Sequence, residues 1–466
     1  MRLRAGTVDL LSQAEVGAVH AAALRILAEV GLCVENEELL RLLAEVGATV
    51  DYAAQRARFA PALVGRFLGD CERVDWATLT PDVSGSAGVY HSLYLDPDSG
   101  ELLPWDEERL RRYFLLARRL PQIGVASMLG CRLSAASRLE PLYERLICWR
   151  YGACEGGSIH LDALCPYLYD LYQLRAAQVG LPVERVFRGA VYLVPPLRLG
   201  RHEAAQVLYF WRRGLRVSIG DMYAMGATAP ATLAGAVALS LAEQLALAFL
   251  QRALWGERRL TLGASIMPFD MRTAIHPFGR PELALTGLAM AQMARHYGLP
   301  FRGHAGLTDA KAPSAESGAQ KALTALPLLL AAGHVHLDAG LLSSDEVVSP
   351  LQLILDDELL SALARLCRGL SVSEDDLALE VIAAVGPGGL YLDQAHTARH
   401  HREQFWEPKV WSREKLGDWL DAGRPLDVDR ARERYHALVD GPLPAAALDE
   451  ATEREIAALL ARAANL

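Results

Sequence analysis

No two cysteines in this sequence are spaced C-x-x-C. The seven present, Cys33, Cys71, Cys131, Cys148, Cys154, Cys165 and Cys367, are odd in number and irregular in interval. That argues against a disulfide framework and against a zinc site legible from spacing, and it predicts reduced thiols in a cytoplasmic protein. Also missing are a G-x-G-x-x-G after the first strand-like run, a P-loop, a G-x-S-x-G elbow and an H-E-x-x-H. Basic residues do not exceed acidic ones: 47 Lys and Arg stand against 56 Asp and Glu, a net charge of −9. A nucleic-acid partner usually calls for a basic domain, so none is expected. Gly, Gln or Glu interrupts each apolar run well short of the roughly 20 residues of a membrane span. The opening "MRLRAGTVDLLSQAEVG" starts basic, but no apolar h-region or cleavage site follows.

What is present is core. Of 466 residues, 52% are hydrophobic and 22% charged, the composition of a globular protein. Residues 12–68 carry helical periodicity. Ser12 and Glu15 have the spacing of a capping box, Gly31 of a stop, and Asn36 and Gly47 repeat the plan. Residues 83–104 change period and turn at Asp96-Pro97-Asp98-Ser99-Gly100, which reads as a β-hairpin. A helix resumes at Asp106. From about 121 onward, short apolar runs alternate with helical segments. The runs are 122–129, 155–161, 186–194, 215–222, 259–265, 300–306 and 334–340, and the clearest helices are 201–213, 231–253, 281–297 and 316–331.

Seven strands apolar throughout, separated by crossover-length helices, predict a parallel sheet covered by helices. A TIM (β/α)8 barrel needs about 250 residues, which leaves roughly 200 for extensions. The fold class expected is therefore α/β: a TIM (β/α)8 barrel over 121–397, an N-terminal helical and β-hairpin extension over 1–120, and a C-terminal helical tail over 398–466. The eighth strand is the least evident, and "GGLYLD" (388–393) is one candidate.

Barrels carry their chemistry in the loops after the strands, so the candidates are the residues at the end of each run. These are His160 and Asp162; Asp221, Met222 and Tyr223; Met267, Phe269, Asp270 and Arg272; His304, Thr308, Asp309 and Lys311; and Ser343, Ser344, Asp345 and Glu346. His336 and Asp338 lie two apart on a strand and share a face, either the barrel interior or the helix layer. Asp309 and Lys311 would not face each other on a helix; Asp309 is either a helix cap or a reacting group. Glu243, a lone acid in "LSLAEQLALAF", needs a partner, a site or the wet face. Tyr223, Phe269 and Met267 suit either core filling or a wall for a cation.

The ordered set resembles the trimethylamine / glycine betaine corrinoid methyltransferase family. The resemblance is carried by the segment from Leu11 to Val64, by "LYLDPDSGELLPWDEERLRRYFLLARRL" (93–120) and by "GATAPATLAGAVALSLAEQLA" (226–246). It continues through "YGLPFRGHAGLTDAK" (297–311), "LALEVIAAVGPGGLYLDQAHT" (377–397) and "FWEPKVWSREKLGDWLDAG" (405–423). It implies transfer of a methyl group from a small methylated amine to the Co(I) corrinoid of a separate carrier protein, with no cofactor bound permanently and no metal. Some members carry pyrrolysine, which is not written here, so the implied substrate is a quaternary amine such as a betaine. The protein is expected to be a cytoplasmic homo-oligomer with neither nucleic-acid nor membrane partners. The predicted reacting centre is Asp309, Lys311 and His336. The predicted substrate contacts are His160, Asp221, Tyr223, Phe269, His304, Thr308, Asp338 and Glu346. After Lys311 the chain reads "APSAESGAQKA" where the family continues with an acidic-Gln-Ala-Gly-Tyr-Glu run. That departure motivates the alternative, a non-catalytic barrel that binds a methylated or cationic ligand.

Overall fold

Eight short parallel strands close on themselves in chain order. The computed structural model describes residues 5–90, 92–130, 137–303, 305–443 and 445–466. The strands are β1 (Asp82–Val89), β2 (Ala126–Met128), β3 (Cys154–Glu155), β4 (Ala190–Tyr192), β5 (Ser218–Gly220 and Tyr223–Met225), β6 (Leu262–Ala264 and Ile266–Pro268), β7 (Phe301–Gly303) and β8 (His334–Ala339). β1 pairs with β2 and β2 with β3. A bridge from Ser158 to Ala190 joins β3 to β4. β4 pairs with β5, β5 with β6 and β6 with β7. A bridge from Ala305 to Leu337 joins β7 to β8. Closure comes from β8 on β1, where six residues run in register from His334 opposite Asp82 to Ala339 opposite Ala87.

Each strand leads to a helix: α1 (Glu107–Arg119), α2 (Glu140–Tyr151), α3 (Cys165–Val179), α4 (Arg201–Trp211), α5 (Leu233–Trp255), α6 (Pro281–Tyr297), α7 (Ala315–Ala332) and α8 (Pro350–Arg368). This is the eightfold β/α alternation of a TIM barrel.

The strand that opens the barrel lies inside the stretch read from sequence as hairpin and extension. The hairpin itself is shorter, Leu93–Leu95 against Leu102–Leu103. The alternative candidate at 388–393 forms no strand, and Leu390 and Leu392 are exposed there. β1 reads Asp-Val-Ser-Gly-Ser-Ala-Gly-Val, with almost none of the bulky β-branched and aromatic residues that mark strands. The reason is space. A Cβ on Gly85 would stand 2.7 Å from Leu360 and 3.0 Å from Ile123, so α8 packs directly on the strand backbone.

The barrel is parted between the first halves of β5 and β6. There the side chain of Gln244 stands in for a strand: its Nε2 donates to Gly263 O (3.2 Å) and its Oε1 accepts from Gly263 N (2.8 Å). Helix α5 is apolar on every face because it is covered on every face. The barrel lies beneath it and the N-terminal helix Gln13–Glu29 above. Phe59 and Phe67 also rest on its Phe249, with ring centroids 4.7 and 4.2 Å away. By length and composition α5 could cross a membrane, but most of it is buried inside the fold. The capping box of Ser12 and Glu15 and the Asn36 cap are present as expected.

Three consecutive buried acids of α8 hold the surroundings together. Asp356 accepts from Lys321 Nζ (2.6 Å), Gly340 N (2.7 Å) and Gln352 Nε2 (2.8 Å). Asp357 accepts from Gln122 N at 2.8 Å. Glu358 Oε1 accepts from the amides of Lys409, Val410 and Trp411 at 2.7, 2.9 and 3.2 Å. Thus one short run fixes the turn after β8, the approach to β2 and the tail. The tail helices Asp427–Val439 and Glu450–Ala463 pack on α8 and α3 respectively.

Candidate active site

The C-terminal ends of the strands gather a set of acids and aromatic rings. Along β8, even-numbered side chains point into the barrel. His336 sits mid-strand with both ring nitrogens engaged, Nδ1 with Ser84 Oγ at 2.9 Å and Nε2 with Ser86 Oγ at 3.1 Å. The small residues of β1 thus serve as the cradle of a histidine. Asp338 follows one pleat nearer the mouth, and Tyr90 and Tyr192 follow from the ends of β1 and β4. Tyr192 is 52% exposed, and it occupies room left by Gly220, its register partner on β5. Burial, and then the charges of Asp338 and Asp345, push the Tyr90 hydroxyl well above its ordinary range. It is therefore a neutral donor at any physiological pH.

The loop after β8 completes the set. Ser343, Ser344 and Asp345 all hold positive φ, at 52°, 55° and 82°. Non-glycine residues there cost roughly 1–3 kcal/mol each and persist only where neighbours impose them. The neighbours are the loop after β7. Ser343 N donates to Ala310 O (2.8 Å) and Ser344 N to Thr308 O (2.9 Å). Ser344 Oγ donates to Asp309 Oδ1 at 3.0 Å. Lys311 Nζ donates to Ser343 Oγ (2.9 Å), which in turn donates to Glu346 Oε2 (3.0 Å). Asp309 also accepts from Phe278 N (2.8 Å) and Gly279 N (3.2 Å), so it binds three loops at once. Thr308 is buried and donates to Gln320 Oε1 at 2.5 Å. The Thr308–Lys311 motif is therefore the platform that forces Asp345 and Glu346 into place.

The electrostatics follow. Burial, then the charges of Glu346 and Asp338, push the Asp345 carboxyl up to about 6. Among the described residues, Asp338, Asp345 and Glu346 lie close together at the mouth, and the Lys311 ammonium there is tied to Ser343 at the exposed rim. Such a group of like charges is relieved by a cation.

The structure divides the other predicted residues. Asp221 finds its partner on α5, and Tyr223 packs beside the same helix. Asp221 Oδ2 accepts from Gln244 Nε2 at 3.2 Å, and burial raises its pKa. Tyr223 is fully buried beside Glu243, whose Oε2 accepts from Leu197 N. Burial, opposed by that bond and by Tyr223, pushes Glu243 up to about 7. Phe269 stacks edge-on against His276 in the loop after β6, centroids 5.6 Å apart. His160 lies in the segment after β3, with φ 64°, and is exposed. His304 lies outside the described residues. Sequence reasoning missed Tyr90 because it missed β1. It passed over Tyr192, although an aromatic at the end of a recognised strand was a usable signal.

The family model for trimethylamine methyltransferase (MTTB) matches residues 178–465, from the end of α3 through the tail. The chain belongs to the trimethylamine methyltransferase family. Among curated members it is similar to the glycine betaine methyltransferase of Desulfitobacterium hafniense strain Y51, at 32% identity over 269 residues, 57% of this chain and 56% of that protein. It is also similar to the trimethylamine methyltransferase MttB of Methanosarcina barkeri, at 32% over 228 residues, 49% and 46% of the two chains. The chain thus aligns with about half the length of the curated family members it matches. Among solved structures, the monomethylamine methyltransferase MtmB of Methanosarcina barkeri superposes over 98% of this chain and 96% of its own, at 10% identity and a TM-score of 0.43. In this family member the barrel is established by its own closed strand ladder.

Proposed function

We propose that this family member moves a methyl group from a small quaternary amine, such as a betaine, to the Co(I) corrinoid of a separate carrier protein. One observation carries the reading: Asp338, Asp345 and Glu346 meet Tyr90 and Tyr192 at the mouth of a barrel of this family. Carboxylates and aromatic faces are the two groups that hold a permanent cation, the latter at about 0.5–2 kcal/mol per ring.

The chemistry asks little else of the chain. The carrier's Co(I) supplies the nucleophile. The C–N bond breaks with its electron pair staying on nitrogen, and a neutral tertiary amine leaves without needing a proton. No general acid is required, which suits a site in which His336 already has both nitrogens occupied. The residues must strip water from the cation, fix its orientation and present one methyl outward; proximity and alignment supply the rate. In this scheme Asp345 and Glu346 hold the ammonium, Tyr90 and Tyr192 wall it, and Asp338 backs it. Thr308, Asp309 and Lys311 hold the acidic loop, and His336 stiffens the floor. A substrate carboxylate would lie toward Lys311.

The rim fits a large apolar partner. Leu161, Val194 and Met271, from the segments after β3, β4 and β6, and Met222, between the halves of β5, are all exposed. Exposed apolar residues gathered at one place mark an interaction surface. The test is to mix the protein with a reduced corrinoid carrier and a panel of betaines and to follow the corrinoid spectrum. The methylated-corrinoid spectrum with at least one quaternary amine, and none with its tertiary product, is expected. Its absence with every amine and every carrier tried would refute the proposal.

A further inference from the structure

Between α8 and the tail the chain makes an excursion that lacks a core of its own. Its helices, Glu374–Leu377, Leu379–Val385 and Ala395–Gln404, contain no buried residue. At its base, Arg365 of α8 holds both ends, donating to Gly369 O (3.1 Å) and to Gln404 O (2.7 Å). Short helices without buried apolar faces do not hold a shape by propensity alone. Small segments that cannot build a core are commonly held by a disulfide or a metal ion. Among the described residues there is no cysteine in this arm, but there are histidines.

His396 and His400 are four apart on one helix, so their rings lie on one face, with centroids 4.3 Å apart. Both turn Nε2 toward Asp375, at the far end of the excursion. His396 Nε2 is hydrogen-bonded to the backbone carbonyl oxygen of Asp375 at 3.2 Å, a contact it would exchange for an ion, and His400 Nε2 pairs with the Asp375 Oδ2 carboxylate oxygen at 3.0 Å. Each of the three residues offers a ligand atom within 4.8 Å of the others. The His400 nitrogen is buried and forms no hydrogen bond despite the short approach to the carboxylate. The two atoms form an ion pair at 3.0 Å without hydrogen-bond geometry, and the same close approach suits two ligands of one cation. In a tetrahedral site with bonds of about 2.1 Å, ligand atoms stand about 3.4 Å apart. The His400–Asp375 pair is already near that separation.

We propose that Asp375, His396 and His400 bind a divalent ion of the borderline class, Zn2+ first among them. Two imidazole nitrogens and one carboxylate oxygen are the ligands that class takes, with water in the fourth position. The ion ties the beginning of the arm to its end and so fixes the arm's fold. It stands apart from the barrel mouth and from methyl transfer. Arg399 Nη2, 3.6 Å from Asp375 Oδ1, is the competing cation, and its side chain is 63% exposed, free to swing away.

The test uses the full chain, stripped with a chelator and titrated with Zn2+ by calorimetry and with Co2+ by visible absorption. One ion per chain, a dissociation constant below about 1 µM, a Co2+ spectrum of tetrahedral type and slower proteolysis within 370–404 are expected. His396→Ala and His400→Ala should each weaken binding at least about 100-fold. His401→Ala, a neighbour that stacks on Phe405 instead, should leave it unchanged. All three histidines lie outside the core, so these variants fold. Failure to retain an ion, equal binding by the His396→Ala/His400→Ala double variant, or equal loss in His401→Ala would overturn the proposal.

Discussion

Replacing Asp345 by Asn and Glu346 by Gln together lowers the affinity for tetramethylammonium about 100-fold and, at neutral pH, raises the melting temperature. The first effect is Coulombic. A carboxylate about 6 Å from a cation at an effective dielectric near 20 contributes about 3 kcal/mol; screening at an open mouth roughly halves that, which leaves about tenfold per acid. The second effect has the opposite sign because the unliganded site is crowded. The folded-state pKa of Asp345, about 6, lies above its ordinary 3.8. The folded chain therefore holds this proton more tightly than the unfolded chain does. Stability from this group is complete below about pH 4 and is lost as pH rises through 6. The loss is at most about 2 kcal/mol once solvent screening is allowed for. The variant escapes it, so its thermal gain should be present at pH 7 and absent at pH 4. Cation affinity of the native chain runs the other way, falling as pH drops through 6. Calorimetry at three pH values measures both. A variant that loses stability at pH 7 while binding the cation normally would contradict the assignment.

The largest expected loss of stability is at Lys321→Met. Lys321 and Asp356 are buried, with side-chain exposures of 0% and 1%. Removing the ammonium leaves Asp356 charged in the core, which costs about 3–5 kcal/mol. Urea unfolding measures that cost, and adding Asp356→Asn to the same chain should recover part of it. The consequence reaches the mouth. Asp356 also receives the amide of Gly340, where φ is +82° and a Cβ would meet the Tyr113 hydroxyl at 2.2 Å. That turn launches the loop bearing Asp345, so Lys321→Met should weaken cation binding as well as the fold.

How much of this was legible in the sequence depends on what each residue packs against. Strands β2 to β8 could be read because they are apolar and set apart by glycine. β1 could not, since its serines serve His336 and its glycines make room for α8; the aromatic that follows it, Tyr90, was lost with it. The two-residue spacing of His336 and Asp338 established a shared face, and only barrel closure showed that the face is inward. Asp221 and Tyr223 end an apolar run as site residues do, yet Asp221 is held by Gln244 of α5, which fills the gap between β5 and β6, and Tyr223 opens the second half of β5, buried beside Glu243. The Thr308–Lys311 stretch lies in the loop after β7, a strand that the sequence made legible. Its work, bracing a strained neighbouring loop, depends on contacts across more than 30 residues that no local pattern encodes.

The central claim is that the mouth selects permanent positive charge. Calorimetric affinities of choline and glycine betaine, each set beside its neutral-carbon isostere, 3,3-dimethylbutan-1-ol and 3,3-dimethylbutanoate, test it most directly. At least one cation is expected to bind about 100-fold more tightly than its isostere, a difference of about 2.7 kcal/mol. Equal affinities within both pairs would contradict the account.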